Sequence, residues 1–239
     1  MIGNKPSIYN QPSIYNQGGG GGGGGGGGLP DGYTQVQYIY NNSKGVITVT
    51  LDEETDDFVY LACKYIYRAN ENSDNNYLIG VVKSNDTAFL RVGVGTENSR
   101  MKVMLYNANS HSWNTNIGYT DSVTTNINLL NNCGQFICND LNLTHGEFGQ
   151  YYNAAKGKAK YIALFGAYWN GSWKLGDSWC ARQALVYVKL FGLNSNKLLL
   201  DLVPCKNDYN APGFYDVVNN KFYGASINAG DIHAGPDVV

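Results

Sequence analysis

From Thr34 onward, apolar and polar residues alternate along the chain, and β-branched and aromatic side chains are enriched. Clusters of Gly, Asn and Asp separate the alternating segments, as turn residues do between strands. No segment of ten or more residues has its apolar positions spaced at the period of an α-helix. The pattern predicts strands at residues 34–40, 46–51, 58–67, 77–83, 88–94, 101–106, 123–130, 160–167, 182–191 and 198–203.

The clearest predicted strand is 182–191. Strict alternation would place Ala184, Val186, Val188 and Leu190 on one apolar face, opposite a half-polar face. Many short strands with regularly spaced turns are typical of a two-sheet antiparallel sandwich or jelly roll. We therefore expect an all-β fold, with residues 29–239 forming one jelly-roll domain.

The first 28 residues differ from the rest of the chain. The hexapeptide PSIYNQ occurs twice in succession, at 6–11 and 12–17, and an unbroken glycine run follows at 18–28. The glycines have no side chains to bury and are costly to order, so a disordered or extended tether is expected. The apolar side chains of the repeats suggest an adhesive peptide for attachment to another surface, and a tail with no partner is the alternative. The attachment residues are Ile8, Tyr9, Ile14 and Tyr15.

Composition excludes several classes of protein. Hydrophobic residues make up 43% of the chain, enough for a core, whereas charged residues make up only 15% and the net charge is −2. A protein that tracks nucleic-acid phosphates has a basic excess, so we expect no nucleic-acid partner. No apolar run approaches the ~20 residues that cross a bilayer, so no membrane span is expected. The first residues also lack the apolar stretch of a secretory signal, which predicts synthesis and maturation in the cytoplasm of a cell.

Cysteine and histidine spacing predicts no metal site and no cofactor. A zinc site needs paired Cys or Cys/His clusters, and the five scattered cysteines are better interpreted as buried free thiols. They are Cys63, Cys133, Cys138, Cys180 and Cys205.

No residues are predicted to be catalytic. A glucanase-type hydrolase on a jelly roll needs carboxylates alternating on one strand. The densest acidic cluster, at 52–57, is interpreted as a solvated turn between two strands, with a surface calcium site as a minor alternative. His111, His145 and His233 are far apart and lie in no nucleophile motif. The protein is therefore not expected to be an enzyme.

Aromatic residues carry the candidate binding chemistry. Tyr168, Trp169 and Trp173 flank Asn170, and Trp113 is predicted to lie in a polar loop. Sugar rings stack on exposed indoles while Asn side chains bind hydroxyls, so these residues are candidates for a carbohydrate site. The Asn-Gly pair at 170–171 suits a tight turn that would bring the two tryptophans to one end of the sandwich. Packing at the end of the sandwich is an equal alternative for Trp169 and Trp173.

Both ends of the domain resemble a known family. The stretch LPDGYTQVQYI at 29–39 and the order DLVPCKN, GFYD, NKFYG and AGP within 201–236 are similar to concanavalin-A-like, laminin-G-type jelly rolls. The resemblance is to the form found on virion proteins of gut bacteriophages and on surface proteins of gut bacteria. The loop at 41–45 departs from the family's usual second strand. The shared residues are interpreted as structural, because they mark the fold and specify no ligand.

The resemblance and the tether together imply a function. They suggest a virion surface protein, such as a head-fibre, capsid-decoration or tail-fibre subunit, which displays a lectin-like jelly roll toward glycans. Its partners would be capsid or tail structural proteins, bound through the tether, and further copies in a homo-oligomer. The alternative is a secreted or surface carbohydrate-binding module or glycoside hydrolase of a bacterium.

Overall fold

The computed structural model describes residues 28–55, 59–66, 77–83, 88–95, 100–105, 109–114, 122–130, 133–138, 141–145, 159–169, 172–174, 184–192 and 197–239. Side chains are described for 28–51, 78–80, 161–166, 184–190 and 197–239. The prediction of a tether lies outside these ranges. No helix in the described part is long and apolar enough to cross a membrane.

Nineteen strands are described. In chain order they are β1 (Tyr33–Gln35), β2 (Ile39–Asn41), β3 (Ile47–Thr55), β4 (Val59–Ile66), β5 (Tyr77–Lys83), β6 (Ala88–Gly95), β7 (Arg100–Leu105), β8 (Asn109–Asn114), β9 (Ser122–Leu130), β10 (Cys133–Cys138), β11 (Leu141–His145), β12 (Ala159–Leu164), β13 (Ala167–Trp169), β14 (Ser172–Lys174), β15 (Ala184–Gly192), β16 (Leu198–Asn207), β17 (Pro212–Asp216), β18 (Lys221–Gly224) and β19 (Ile232–Ala234).

The strands form two large antiparallel sheets and one hairpin. The larger sheet follows the order β11-β10-β9-β4-β15-β16-β17-β18, with β1 beside β16 and β2 between β15 and β19. The second sheet follows the order β3-β12-β5-β6-β7-β8, and β13 and β14 form a two-stranded sheet within the described residues. The chain crosses repeatedly from one large sheet to the other. The predicted all-β, two-sheet antiparallel jelly roll is confirmed.

The core lies where the two sheets face each other. In the smaller sheet, Ile47 and Val49 pair with Leu164 and Ile162, and all four side chains are fully buried. In the larger sheet, fully buried leucines of β15 and β16 supply the opposite surface. Burial of such side chains contributes roughly 1.5–3 kcal/mol each before the entropy cost of ordering the chain, so these residues contribute strongly to stability.

The predicted face of β15 is wrong at its N-terminal end. The register with β4 shifts between Leu185 and Tyr187, so Val186 is an extra residue in a β-bulge. Leu185 thereby joins the face of Val188 and Leu190, and all three are fully buried, whereas Val186 is only partly buried. Strict alternation cannot anticipate a bulge, because the bulge depends on the strands that pair on each side.

The predicted solvated turn at the acidic cluster is also wrong for Asp52 to Thr55. Strand β3 continues through these positions, and Thr55 pairs with Ala159 of β12. The register between the two strands shifts on the way, because five steps of β3, from Thr50 to Thr55, lie opposite two steps of β12, from Tyr161 to Ala159. The acidic residues lie on an edge strand, where charged side chains discourage pairing with another chain.

The predicted strand at 34–40 is divided into β1 and β2. Between them, Val36 donates its N–H to the Pro204 carbonyl at 3.0 Å, and Gln37 donates to Pro236 at 2.8 Å. The chain therefore leaves β16 and joins β15 and β19. β1 therefore ends because the chain changes its pairing partners from β16 to β15 and β19, and not because a turn residue interrupts the strand.

Candidate functional site

The aromatic segment predicted to bind sugars forms a β-hairpin. Tyr168 pairs with Trp173, and Trp169 pairs with Ser172. This register leaves only residues 170 and 171 to join the strands; Asn170 and Gly171 themselves lie outside the described residues. β13 contacts β5, β6 and β12, so the hairpin is anchored against the smaller sheet.

The hairpin register groups the aromatic positions in pairs. Directly opposed residues of an antiparallel pair share a face, and successive residues alternate between faces. Positions 168 and 173 therefore belong to one face of the hairpin, and positions 169 and 172 to the other. Tyr168 is the aromatic residue that shares a face with Trp173.

Trp113 was predicted to lie in a polar loop, and that prediction is wrong. The residue lies in β8, where it pairs with Met101 of β7. β8 is the last strand of its sheet in the described structure, and β7 separates it from β6. Pairing with β7 makes this polar segment a strand despite its sequence. The predicted attachment residues Ile8, Tyr9, Ile14 and Tyr15 lie outside the described residues.

The stretches that carry the jelly-roll resemblance lie where the two ends of the domain meet. We call this contact of β1 and β2 with β16 to β19 the clasp. β1 pairs with β16, and β2 pairs with β19. The Tyr33 ring lies 4.8 Å from that of Tyr215 and 5.5 Å from that of Phe222. The interpretation of these residues as structural agrees with their positions.

Asp216 holds the C-terminal part of this clasp together. Its side chain is fully buried, and Oδ1 accepts hydrogen bonds from the backbone N–H groups of Asp201 at 3.1 Å and Val218 at 3.0 Å. Oδ2 accepts a third from Asn219 Nδ2 at 2.5 Å. A buried carboxylate with three donors is satisfied, so it fixes the turn between β17 and β18 against β16.

The clasp forms an open groove that the sequence pattern does not predict. We call it the terminal groove; its volume is about 330 Å³. One wall comes from β2 and β19, and the other comes from β16, β17 and their connecting turn. Its principal lining residues are Tyr40, Ile232, His233, Lys206, Asn210 and Pro212.

The first wall of the terminal groove is aromatic. Tyr40 and His233 are directly opposed in the β2–β19 register, and their rings stack with centroids 5.0 Å apart. The Tyr38 ring meets Tyr40 edge-on at 6.2 Å. Asn42 Nδ2 donates to His233 Nε2 at 2.8 Å and orients the imidazole. The neighbouring positions Ile39 and Asn41 are buried, so alternation places the aromatic row on the outer face.

The second wall is polar and held in place. Lys206 and Pro212 are opposed in the β16–β17 register, and Lys206 Nζ lies 2.6 Å from Asp237 Oδ1. Asn207 Oδ1 accepts from the backbone N–H groups of both Tyr209 and Ala211 at 3.0 Å, which fixes the turn that carries Asn210. Asn210 adopts a positive φ of 61°, a conformation that Asn tolerates.

Cys205, next to the groove in sequence, is a buried free thiol, as predicted. Burial raises the pKa of its thiol to about 12, and a hydrogen bond with the Tyr215 backbone opposes part of that rise. The thiol is therefore neutral and unreactive near neutral pH. Among the side chains that the structure describes, no three His, Cys, Asp or Glu come together as a metal site would require.

Comparisons with known proteins give matches only among solved structures. No protein-family model matches the chain, and no curated protein matches it. A native heptameric SAP-like pentraxin from Limulus polyphemus aligns over 66% of this chain and 76% of its own, with a TM-score of 0.48 and 10% identity. CG-16, a homodimeric agglutinin from chicken liver, aligns over 61% of this chain and 98% of its own, with a TM-score of 0.41 and 10% identity. Chicken galectin 2 aligns over 59% and 98%, with a TM-score of 0.35 and 12% identity.

Proposed function

We propose that this protein is a bacteriophage virion surface protein that displays its jelly roll toward glycans on host cells or in the environment. It would be a subunit of a head fibre, a capsid decoration or a tail fibre. The observation that carries glycan binding is the β13–β14 hairpin, where Trp173 opposes another aromatic residue, Tyr168, in a two-stranded ribbon beside the smaller sheet.

The hairpin suits sugar recognition for a physical reason. A pyranose presents an apolar face of C–H groups that stacks on an aromatic ring, and its hydroxyls need polar neighbours. The Tyr168–Trp173 pair would supply a stacking surface on one face of the hairpin, and Trp169 on the other face, with Asn170, would meet a second part of the glycan. Each stacked ring contributes roughly 1 kcal/mol, so one site is weak and many copies on one particle would bind by avidity.

Attachment to the particle is assigned to residues 1–28. The repeated PSIYNQ motif would engage capsid or tail proteins at two neighbouring sites, and the glycine run would separate them from the domain. Two linked contacts raise the effective concentration for the second binding event. The protein would be made in the host cytoplasm and would act on the virion surface as a homo-oligomer.

A mass-spectrometric inventory of purified virions tests this location. We expect the full chain to be present in stoichiometric amounts, and a chain without residues 1–28 to be absent from particles while it stays folded. Replacement of Ile8, Tyr9, Ile14 and Tyr15 by Ala should weaken incorporation in the same way. Normal incorporation of the truncated chain would refute attachment through the tether.

We further propose that the protein binds glycans without cleaving them. The alternative is a secreted or surface bacterial glycoside hydrolase or carbohydrate-binding module. Asp52 and Glu54 are two positions apart on β3, so they are the residues to change in the control. Incubation with bacterial polysaccharide should release no reducing ends. If the unmodified chain releases reducing ends and Asp52→Asn or Glu54→Gln does not, the protein is a hydrolase instead.

A further inference from the structure

The terminal groove combines an aromatic wall with a polar wall, an arrangement typical of sugar sites. Tyr40 and His233 line one side with stacked rings, and Lys206 and Asn210 face them from the other. Its volume of about 330 Å³ lies at the lower end of the ~300–1,000 Å³ of small-molecule sites. A ligand the size of one or two sugar rings fits this space.

The charges of the polar wall favour a neutral ligand. Lys206 Nζ has three N–H donors, and its ion pair with Asp237 engages one side of the ammonium group. Asp237 is half exposed, with 52% of its side chain accessible, and offers an acceptor beside the ammonium donor. Because Asp237 neutralises the ammonium charge of Lys206, the polar wall suits uncharged sugar hydroxyls. A carboxylate ligand would meet the negative charge of Asp237.

The groove is organised before any ligand arrives. A Cβ at Gly235 would lie 2.7 Å from the Tyr38 ring, so glycine lets that ring lie against the backbone beside Tyr40. The amide of Asn42 orients His233, and the Asn207 side chain fixes the turn that bears Asn210. Ligand binding then orders few groups, which lowers its entropy cost.

We infer that the terminal groove is a second saccharide site, which takes a neutral pyranose with its apolar face against the aromatic stack of Tyr40 and His233 and its hydroxyls on Lys206 and Asn210. The inference rests on the proposed glycan-binding function and adds to it a site separate from the β13–β14 hairpin. Two weak sites on one domain would bind a polysaccharide chain together.

Nuclear magnetic resonance of the full chain tests the inference. The probes are methyl glucopyranoside and methyl glucuronoside, which differ by a carboxylate at C6. The reporter is the His233 ring, assigned by the loss of its signals in His233→Ala. We expect the neutral glycoside to shift these signals in a saturable manner, and to bind at least about threefold more tightly than the glucuronoside.

Variants on each wall localise the effect. Tyr40→Leu and Lys206→Met should each weaken methyl glucopyranoside binding about fivefold or more. Asn210→Gly removes an exposed side chain, tolerates the positive φ of 61°, and gives a second test on the polar wall that does not endanger the fold. Tyr209→Ala is the matched control, because Tyr209 lies on the same turn, 92% exposed, outside the groove lining. It should bind as the unmodified chain does.

The outcomes separate this inference from the proposed function. No shift of His233 at ~100 mM glycoside, tighter binding of the glucuronoside, or wild-type affinity in the wall variants overturns the groove assignment. If polysaccharide binding is then still lost in Trp169→Ala/Trp173→Ala, the hairpin function stands alone. If His233 responds while the tryptophan variant binds polysaccharide normally, the groove stands and the hairpin function fails.

Discussion

At the scale of single residues, the most informative positions are polar side chains in the interior. Asp216 and Asn41 are fully buried, and each is surrounded by the backbone donors of a turn. Asn41 Oδ1 accepts from Ser43 at 3.2 Å and Gly45 at 3.0 Å, and so shapes the loop that departs from the family pattern. Hydrogen bonds of this kind fix a loop conformation that apolar contacts alone would leave open.

Replacement of Asp216 by Ala should lower the free energy of unfolding by about 3 kcal/mol. The change removes a fully buried side chain and leaves the part-buried N–H groups of Asp201 and Val218 without their acceptor. Urea denaturation followed by tryptophan fluorescence measures the loss. The exposed Asp31→Ala is the control and should change stability by less than ~0.5 kcal/mol. Equal stability of the two variants would contradict the structural role of Asp216.

Cys205 makes stability depend on alkaline pH. Because burial raises the folded-state pKa from 9.0 to about 12, the neutral thiol stabilises the fold fully below pH 9. Above pH 9 the unfolded chain ionises and the contribution declines until about pH 12. The unfolding free energy of the wild type should therefore fall between these pH values more steeply than that of Cys205→Ala. Parallel curves, or rapid labelling of Cys205 by iodoacetamide in the native protein at pH 7.5, would contradict this account.

At the scale of elements, sequence patterns predict strands best where apolar and β-branched residues are concentrated. β5 has the predicted bounds, Tyr77–Lys83, because β-branched and apolar residues fill it. β8 and the acidic end of β3 are polar, and they are strands because neighbouring strands offer them backbone partners. The bulge at Val186 likewise depends on tertiary pairing. A single sequence carries no signal for such partners.

The hairpin register predicts energetic coupling between two aromatic residues. Tyr168 and Trp173 are directly opposed, so their single replacements by Ala should weaken polysaccharide binding by amounts that do not add in the double variant. We expect a coupling of about 1 kcal/mol, measured by isothermal titration calorimetry. The matched cycle pairs Trp169 with Trp173, which belong to opposite faces, and should be additive within ~0.5 kcal/mol. Strong coupling between Trp169 and Trp173, with none between Tyr168 and Trp173, would contradict the assignment of faces from the hairpin register.

At the scale of the whole molecule, the two ends of the domain depend on each other. The terminal groove requires Asn42 and His233 to meet, although they are 191 residues apart in sequence. The sequence resemblance located both stretches, and it predicted a structural role for them. It did not predict the groove, because a stacked pair on two short strands becomes visible only when their register is known.

Truncations at two points test this dependence. A chain that starts at residue 29 should keep its melting temperature within ~2 °C, because it retains every described strand. A chain that starts at residue 38 loses β1, the buried Val36 and the contact of Tyr33 with Tyr215. Its melting temperature, followed by circular dichroism, should fall by more than about 8 °C. Equal melting temperatures for both truncations would mean that the clasp adds little stability.

The central claim is that this jelly roll binds glycans through its aromatic hairpin, and one comparison tests it most directly. Binding of the full chain to purified bacterial surface polysaccharide is measured by biolayer interferometry, with the melting temperature recorded for each variant. We predict that Trp169→Ala/Trp173→Ala loses binding while its melting temperature changes by less than about 3 °C. If both tryptophans instead pack in the interior, the double variant will lose several kcal/mol of stability. A large fall in melting temperature with unchanged polysaccharide binding would contradict the claim.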